Sequence, residues 1–269
     1  MLTQANDFFD ESENLYNILH NLSRKDFEIE TQFKKWTFND IIRHLHVWNY
    51  ASNISLKNEN KWEDFYSHFK IFSKRGKSIR EFEKNFIGSI KDFKLLELWR
   101  KYYFKIRDDY ISENPKRRVK WVGPDMSIIS SISARHMETW AHGQAVFDVL
   151  GIDRKNKDNI LNIVIIGNNT FNWTYIINGL KPPLKVPHLK LISPSGKQWE
   201  FNNADSNNYI SGMAEDFCKV VTQVRSYQDV NLKVVGKTAL KWMSIAQCFA
   251  GGPNSPPNPG SRKIISKTK

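Results

Sequence analysis

Glu138 and His142 stand four residues apart in Arg135-His136-Met137-Glu138-Thr139-Trp140-Ala141-His142-Gly143-Gln144, a run that reads as helix. On an α-helix, side chains at i and i+4 share one face, so this carboxylate and imidazole can aim at a single point. A metal site for hydrolytic or transfer chemistry needs two or three such ligands, plus an open position for water or substrate. The spacing by itself is met equally well by a surface pair on an exposed helix. A third ligand from elsewhere in the chain would decide between the two.

The chain has seven histidines. His44 and His46 fall on a second run with helical periodicity, which begins at Thr37 and passes through Ile41, Ile42, Leu45, Trp48 and Tyr50 towards Leu56. Thr37 is a capping residue, and Asp40 puts a carboxylate in the first turn. Residues two apart on a helix face different ways, so at most one of the two histidines is expected to look into a core. His44 flanks the Ile41, Leu45 and Trp48 stripe and is the candidate, giving a His2Glu set of His44, Glu138 and His142. His136 is two residues from Glu138, faces elsewhere, and is expected at a polar edge. His20, His68 and His188 have no partner at ligand spacing. Nucleophile schemes find no support, since there is no Gly-x-Ser-x-Gly and neither Cys218 nor Cys248 has a neighbouring histidine. The Gly251-Gly252-Pro253 stretch opens no helix and so is no phosphate loop.

The elements that must position these residues are mostly helices. Phe8, Phe9, Leu15, Ile18 and Leu22 predict a helix over 2–22. Aromatic residues at helical spacing between about 60 and 112 predict two helices broken around Arg75-Gly76, and a stripe of that kind is core. A helix over about 127–150 carries Glu138 and His142, with Gly151 as its C-terminal cap. Beyond it the texture changes. Residues 160–166 and 173–177 read as buried strands, and 189–192 with 198–201 flank the hairpin turn Ser193-Pro194-Ser195-Gly196. Helices are expected near 213–224 and 239–249. The division is therefore a helical metal-binding domain over 1–153, an α+β domain over 154–252, and a mobile basic tail over 253–269.

The 269 residues are 40% hydrophobic and 13% aromatic, ample for a buried core. The net charge of +12 raises the question of a polyanionic partner. Its lysines are scattered through every segment, which reads as a solvated surface and argues against a specific nucleic-acid or membrane partner. Two cysteines among apolar neighbours favour buried free thiols in a reducing cytoplasm, and no apolar run reaches the length of a membrane span.

The segment Trp36-Thr37-Phe38-Asn39-Asp40-Ile41-Ile42-Arg43-His44-Leu45, together with Ala134 through Gln144, resembles the two signatures of the DinB-like metal-binding proteins. The nearest branch is that of the mycothiol-dependent maleylpyruvate isomerases. The second half is similar to a group of uncharacterised metal-binding proteins through Asp216-Phe217-Cys218, Val221-Thr222-Gln223 and Ile245 to Gly251. This resemblance implies a mainly α fold, a four-helix bundle followed by a smaller α+β domain. It also implies a divalent metal, zinc in most relatives, held by His44, Glu138 and His142, with nickel, manganese and iron compatible with the same ligands. The implied activity is isomerisation or transfer with a low-molecular-weight thiol, on a small-molecule substrate that is a carboxylate or an electrophile. Arg225 lies near an arginine that relatives carry in the second domain and would meet a substrate carboxylate there. Asn49 and Ala145 depart from acidic residues that the family often has. They leave open a rival reading, a non-catalytic small-ligand-binding protein that keeps the metal site.

Overall fold

The computed structural model describes residues 1–265, which form ten helices and two small sheets in two compact units, Met1–Val146 and the chain from Phe147 onward. The first unit is helical and the second mixes helices with a four-stranded sheet.

In the first unit the long helices are α1 (Thr3–His20), α2 (Phe38–Lys57), α5 (Asp92–Tyr110) and α6 (Ile128–Leu150). The shorter α3 (Glu59–Lys74) and α4 (Ile79–Ile87) lie between α2 and α5 in sequence. A two-stranded ribbon, β1 (Arg118–Val119) with β2 (Met126–Ser127), leads into α6. The aromatic stripe over 60–112 breaks at Arg75-Gly76 as its sequence predicts. It breaks again at Gly88, which takes φ +67, so three helices stand where two were expected.

Helix α2 is the centre of this unit and packs against α3, α4 and α5. Because it is enclosed, both His44 (8% exposed) and His46 (5%) are buried, which corrects the expectation that only one could be. His46 lies edge-on to Tyr102, and burial pushes its pKa down to about 4. The start of α2 is a capping box: the Thr37 hydroxyl accepts from the Asp40 amide at 3.1 Å, and Asp40 accepts from the Thr37 amide at 3.3 Å. Asn39 ties the same turn to α5, donating to Asp92 Oδ1 at 2.9 Å and accepting from the Asp92 amide at 2.7 Å. A buried hydroxyl cluster, Tyr110 with Ser52 (2.7 Å) and Ser131 (3.0 Å), joins α5, α2 and α6.

Glu13 on α1 is held to α5 by Nε and Nη2 of Arg100, at 3.1 and 3.2 Å, and by the Tyr103 hydroxyl. Burial alone would raise its pKa, but these donors outweigh burial and hold the carboxyl below its usual range. Stability from a depressed carboxyl pKa is present above the unfolded value near ~4.3 and is lost as pH falls through the folded one. Glu13→Gln is therefore expected to destabilise the protein by roughly 1 kcal/mol at pH 7. In urea melts at a series of pH values, the gap to wild type should close as the medium becomes acidic.

In the second unit a 3-10 turn, Asp158–Ile160, precedes α7 (Leu161–Asn169) and α8 (Phe171–Ile177). The sheet has β3 (His188–Ile192), β4 (Gln198–Phe201), β5 (Tyr209–Met213) and β6 (Lys233–Val235) in the order β4-β3-β5-β6, with β3 and β5 parallel. Helix α9 (Ala214–Val221) follows β5 directly, and α10 (Lys237–Ile245) follows β6. The hairpin of β3 and β4 stands where Ser193 to Gly196 predicts it.

Residues 160–166 and 173–177 are helices, which corrects the expectation of strands. In the first, Ile160, Ile163, Val164 and Gly167 are buried while Ile165 is 38% exposed, a helical spacing that the run of β-branched residues masks. Gly167 completes that face by letting α7 approach α9: a Cβ there would lie 2.8 Å from Val221 Cγ2. In the second, Phe171, Thr174 and Tyr175 are buried and Ile176 is 57% exposed.

Both cysteines are buried, and neither is in a disulfide. Composition alone reads 253–269 as mobile. Within it, the Asn254 amide donates to Gln247 Oε1 at 2.9 Å, and the Ile265 amide donates to the Asp148 carbonyl at 2.8 Å. Residues 266–269 lie outside the described part. No helix among the described residues is long and apolar enough to cross a membrane.

Candidate metal centre

Three elements bring the chemistry together. Helix α6 presents Glu138 and His142 one turn apart, with Glu138 Oε2 3.2 Å from His142 Nε2. Helix α2 supplies His44, whose Nε2 is 3.6 Å from the same oxygen. One ligand atom from each of the three residues lies within 4.8 Å of the others. The ligand set read from the sequence thus converges, and the side chains are only slightly open to solvent, at 11% for each histidine and 17% for Glu138.

The third element is α4, and its contribution was not read from the sequence. Glu83, 1% exposed, accepts from His44 Nδ1 at 2.6 Å and from Trp48 Nε1 at 2.8 Å. With Nδ1 committed to that carboxylate, Nε2 is the nitrogen left facing Glu138 and His142, the arrangement a metal-bound histidine requires. Helix α4 is fixed so that Glu83 can do this. Ser78 and Glu81 form a capping box at its start, and Arg80 reaches Asp40 Oδ2 on α2 at 3.0 Å. No spacing rule links residue 83 to residue 44. The only trace in the sequence is an acidic residue beside Phe82 on a short amphipathic helix.

Two aromatic residues wall the site. Lys34 and Lys35 take left-handed φ values of 50 and 58, folding the chain into a tight turn closed by the Trp36 amide on the Phe33 carbonyl at 2.9 Å. The turn lays Trp36 parallel to the His142 ring at 5.4 Å and sets Phe33 edge-on to it at 5.0 Å. Trp36 also meets His44, at 5.1 Å.

The electrostatics fit a cation at the centre. Burial would raise the Glu138 pKa, but His142, His44 and then Arg135 hold it well below the ordinary carboxylate range. Burial would lower that of His44, yet Glu83 and Glu138 push it up to about 9. Burial, and next the charge of His44, lower that of His142. Without a metal, a proton on His44 serves as the counter-cation between two carboxylates. A divalent ion would replace that proton, and two imidazole nitrogens with a carboxylate oxygen are donors that suit one.

The other candidate residues lie elsewhere. His136 is fully buried, where a polar edge position was expected, and it does not join the ligand cluster. Arg225, in the second unit, is 8% exposed and donates to Asp148 Oδ1 at 2.7 Å and to the Val224 carbonyl at 3.1 Å. His188 is buried beside Glu200 at 3.3 Å on the sheet.

Comparison with known proteins adds to this geometry. The family described as mycothiol maleylpyruvate isomerase N-terminal domain matches residues 8–147. Two uncharacterised proteins, from two strains of Mycobacterium tuberculosis, are each 36% identical over 167 residues, 62% of this chain. The chain spans 65% of the length of these relatives. Among solved structures, the mycothiol-dependent maleylpyruvate isomerase aligns with a TM-score of 0.51, and a histidine-to-alanine mutant of it with 0.50. Each is 12% identical and covers 81% of this chain and 86% of its own, a likeness of fold.

Proposed function

This chain belongs to the family of the mycothiol maleylpyruvate isomerase N-terminal domain, and from that premise we propose that it is a metal-dependent, thiol-using isomerase or transferase acting on a small molecule. The observation that carries the proposal is the convergence of His44, Glu138 and His142 within 4.8 Å, with Glu83 behind His44. Zinc suits this borderline donor set best, and the reaction belongs in the cytoplasm. A divalent metal bound by these three residues would supply Lewis acidity, which favours the thiolate form of a thiol at neutral pH.

The rest is done by the chain. Glu83 keeps a proton on His44 Nδ1 and so keeps Nε2 turned inward. Glu138 supplies the negative charge that makes the site selective for a cation. Trp36 and Phe33 cover His142 and limit the access of water, which strengthens the electrostatics inside. Arg225 is proposed as a partner for a substrate carboxylate, which would require it to exchange Asp148 for that group.

The test is turnover. Metal-loaded protein is mixed with a panel of low-molecular-weight thiols and electrophilic or unsaturated carboxylate substrates, with His142→Ala as control. Thiol-dependent turnover that disappears in the control is expected. Full metal loading with no turnover on any pair would overturn the enzymatic reading and leave a binding protein.

A further inference from the structure

Arg135 stands in the α6 signature beside the metal site, where its charge helps to hold Glu138 ionised without pairing with it directly. It precedes Glu138 by three residues, one turn away on the same helix face. The residue is 4% exposed, and its guanidinium lies over the Trp121 ring, 4.9 Å from the centroid. Among the described residues no carboxylate comes within ion-pair distance of it, and no acceptor takes a hydrogen bond from its five N–H donors. A cation–π contact with an aromatic ring offers those N–H donors no hydrogen-bond acceptor in the ring plane. A buried arginine without a directly paired anion is costly, and Arg225 in the second unit shows the ordinary solution, an Asp148 oxygen at 2.7 Å.

A second unmatched group stands at the same level of the bundle. Helices α2 and α6 meet through His44 and Glu138 at one level and through Ser52 and Ser131, at 3.3 Å, at another. Along α2, Asn49 falls at a level between those two contacts, as Arg135 does along α6. Asn49 is 1% exposed, and neither its amide nitrogen nor its oxygen has a hydrogen-bond partner. As a neutral residue it leaves the charge of Arg135 in place. The charge balance points the same way. A divalent ion would cancel Glu138 and Glu83, the two carboxylates of the centre, so the cation of Arg135 would then be in excess.

We infer that Arg135 is an anion-recognition residue, its guanidinium edge taking a carboxylate group of the small molecule on which the centre acts. This rests on the proposed metal site, since the ion leaves the arginine uncompensated. A guanidinium seated over an aromatic ring can still offer two parallel N–H···O bonds to a carboxylate, and it discriminates against a neutral amide of the same shape.

The probes are propionate and its neutral counterpart propionamide, each titrated by NMR into zinc-loaded and metal-free protein. The zinc content of every sample is measured alongside. Wild type is expected to prefer propionate, more strongly when loaded. Arg135→Gln should weaken propionate binding at least tenfold while retaining its zinc, and Arg135→Lys, which keeps charge without the fork, should fall between the two. Equal propionate affinity in wild type and Arg135→Gln, or no preference for propionate in wild type, would overturn the inference. If Arg135→Gln does not fold, Arg135→Lys decides: a loss of threefold or more supports it and an unchanged affinity sinks it. A wild type that takes no zinc defeats the proposed function instead. Propionate binding that still depends on Arg135 in that metal-free protein would then sustain this inference alone.

Discussion

Replacing His142 by alanine is expected to lower the affinity for zinc by roughly a thousandfold, about 4 kcal/mol, beyond the ~10–100-fold that loss of an outer hydrogen-bond partner produces. His142 contributes one of three ligand atoms, and the ring is held on two sides, parallel to Trp36 and edge-on to Phe33. Among the described residues no further His, Cys, Asp or Glu joins the cluster to substitute for it. His136 is buried outside the cluster, and His46 belongs to a different face of α2, against Tyr102. Removing the ring also leaves Glu138 with His44 as its one remaining histidine neighbour. The measurement is competition against a chromophoric chelator, with thermal melts to show that the fold survives. A variant that binds zinc as tightly as wild type would remove His142 from the site.

Glu83→Gln is expected to have the second largest effect, about a 10–100-fold loss of metal affinity, although residue 83 does not face the ion. The glutamine oxygen can still accept from His44 Nδ1 or from Trp48 Nε1, so the helix packing is conserved. What disappears is the negative charge that makes the far nitrogen of His44 a better donor. A second effect works in the opposite direction. The same carboxylate helps to hold a competing proton on His44, whose pKa it and Glu138 push up to about 9. At neutral pH the variant loses some of that competition along with some of its affinity, and the net loss is smaller. The full deficit should appear near pH 9 and narrow towards pH 7. A deficit of the same size at every pH would mean that Glu83 acts only through packing.

The candidate ligands could be picked out because both segments that carry them have local signals. An i, i+4 pair on α6 and a capped start of α2 are properties of neighbouring residues, and they survive being read without the fold. Glu83 was not legible, because its relation to His44 spans 39 residues and depends on α4 being pinned to the Asp40 turn. The burial of His46 and His136 was missed for a related reason: a helix surrounded by others has no outer face, and a two-sided reading of its periodicity fails. The run at 160–166 misled because Ile and Val have strand propensity. Its helical spacing became decisive only with Gly167 docked against α9. Strands β5 and β6 are short, and their pairing with distant partners left no alternation to detect.

The central claim is that His44, Glu138 and His142 form a metal centre, and elemental analysis of the purified wild-type protein beside His44→Ala tests it most directly. Close to one divalent ion per chain in wild type, removed by a chelator, restored by zinc and absent from His44→Ala, is the predicted result. A folded wild type that neither carries a stoichiometric metal nor takes one up would contradict it.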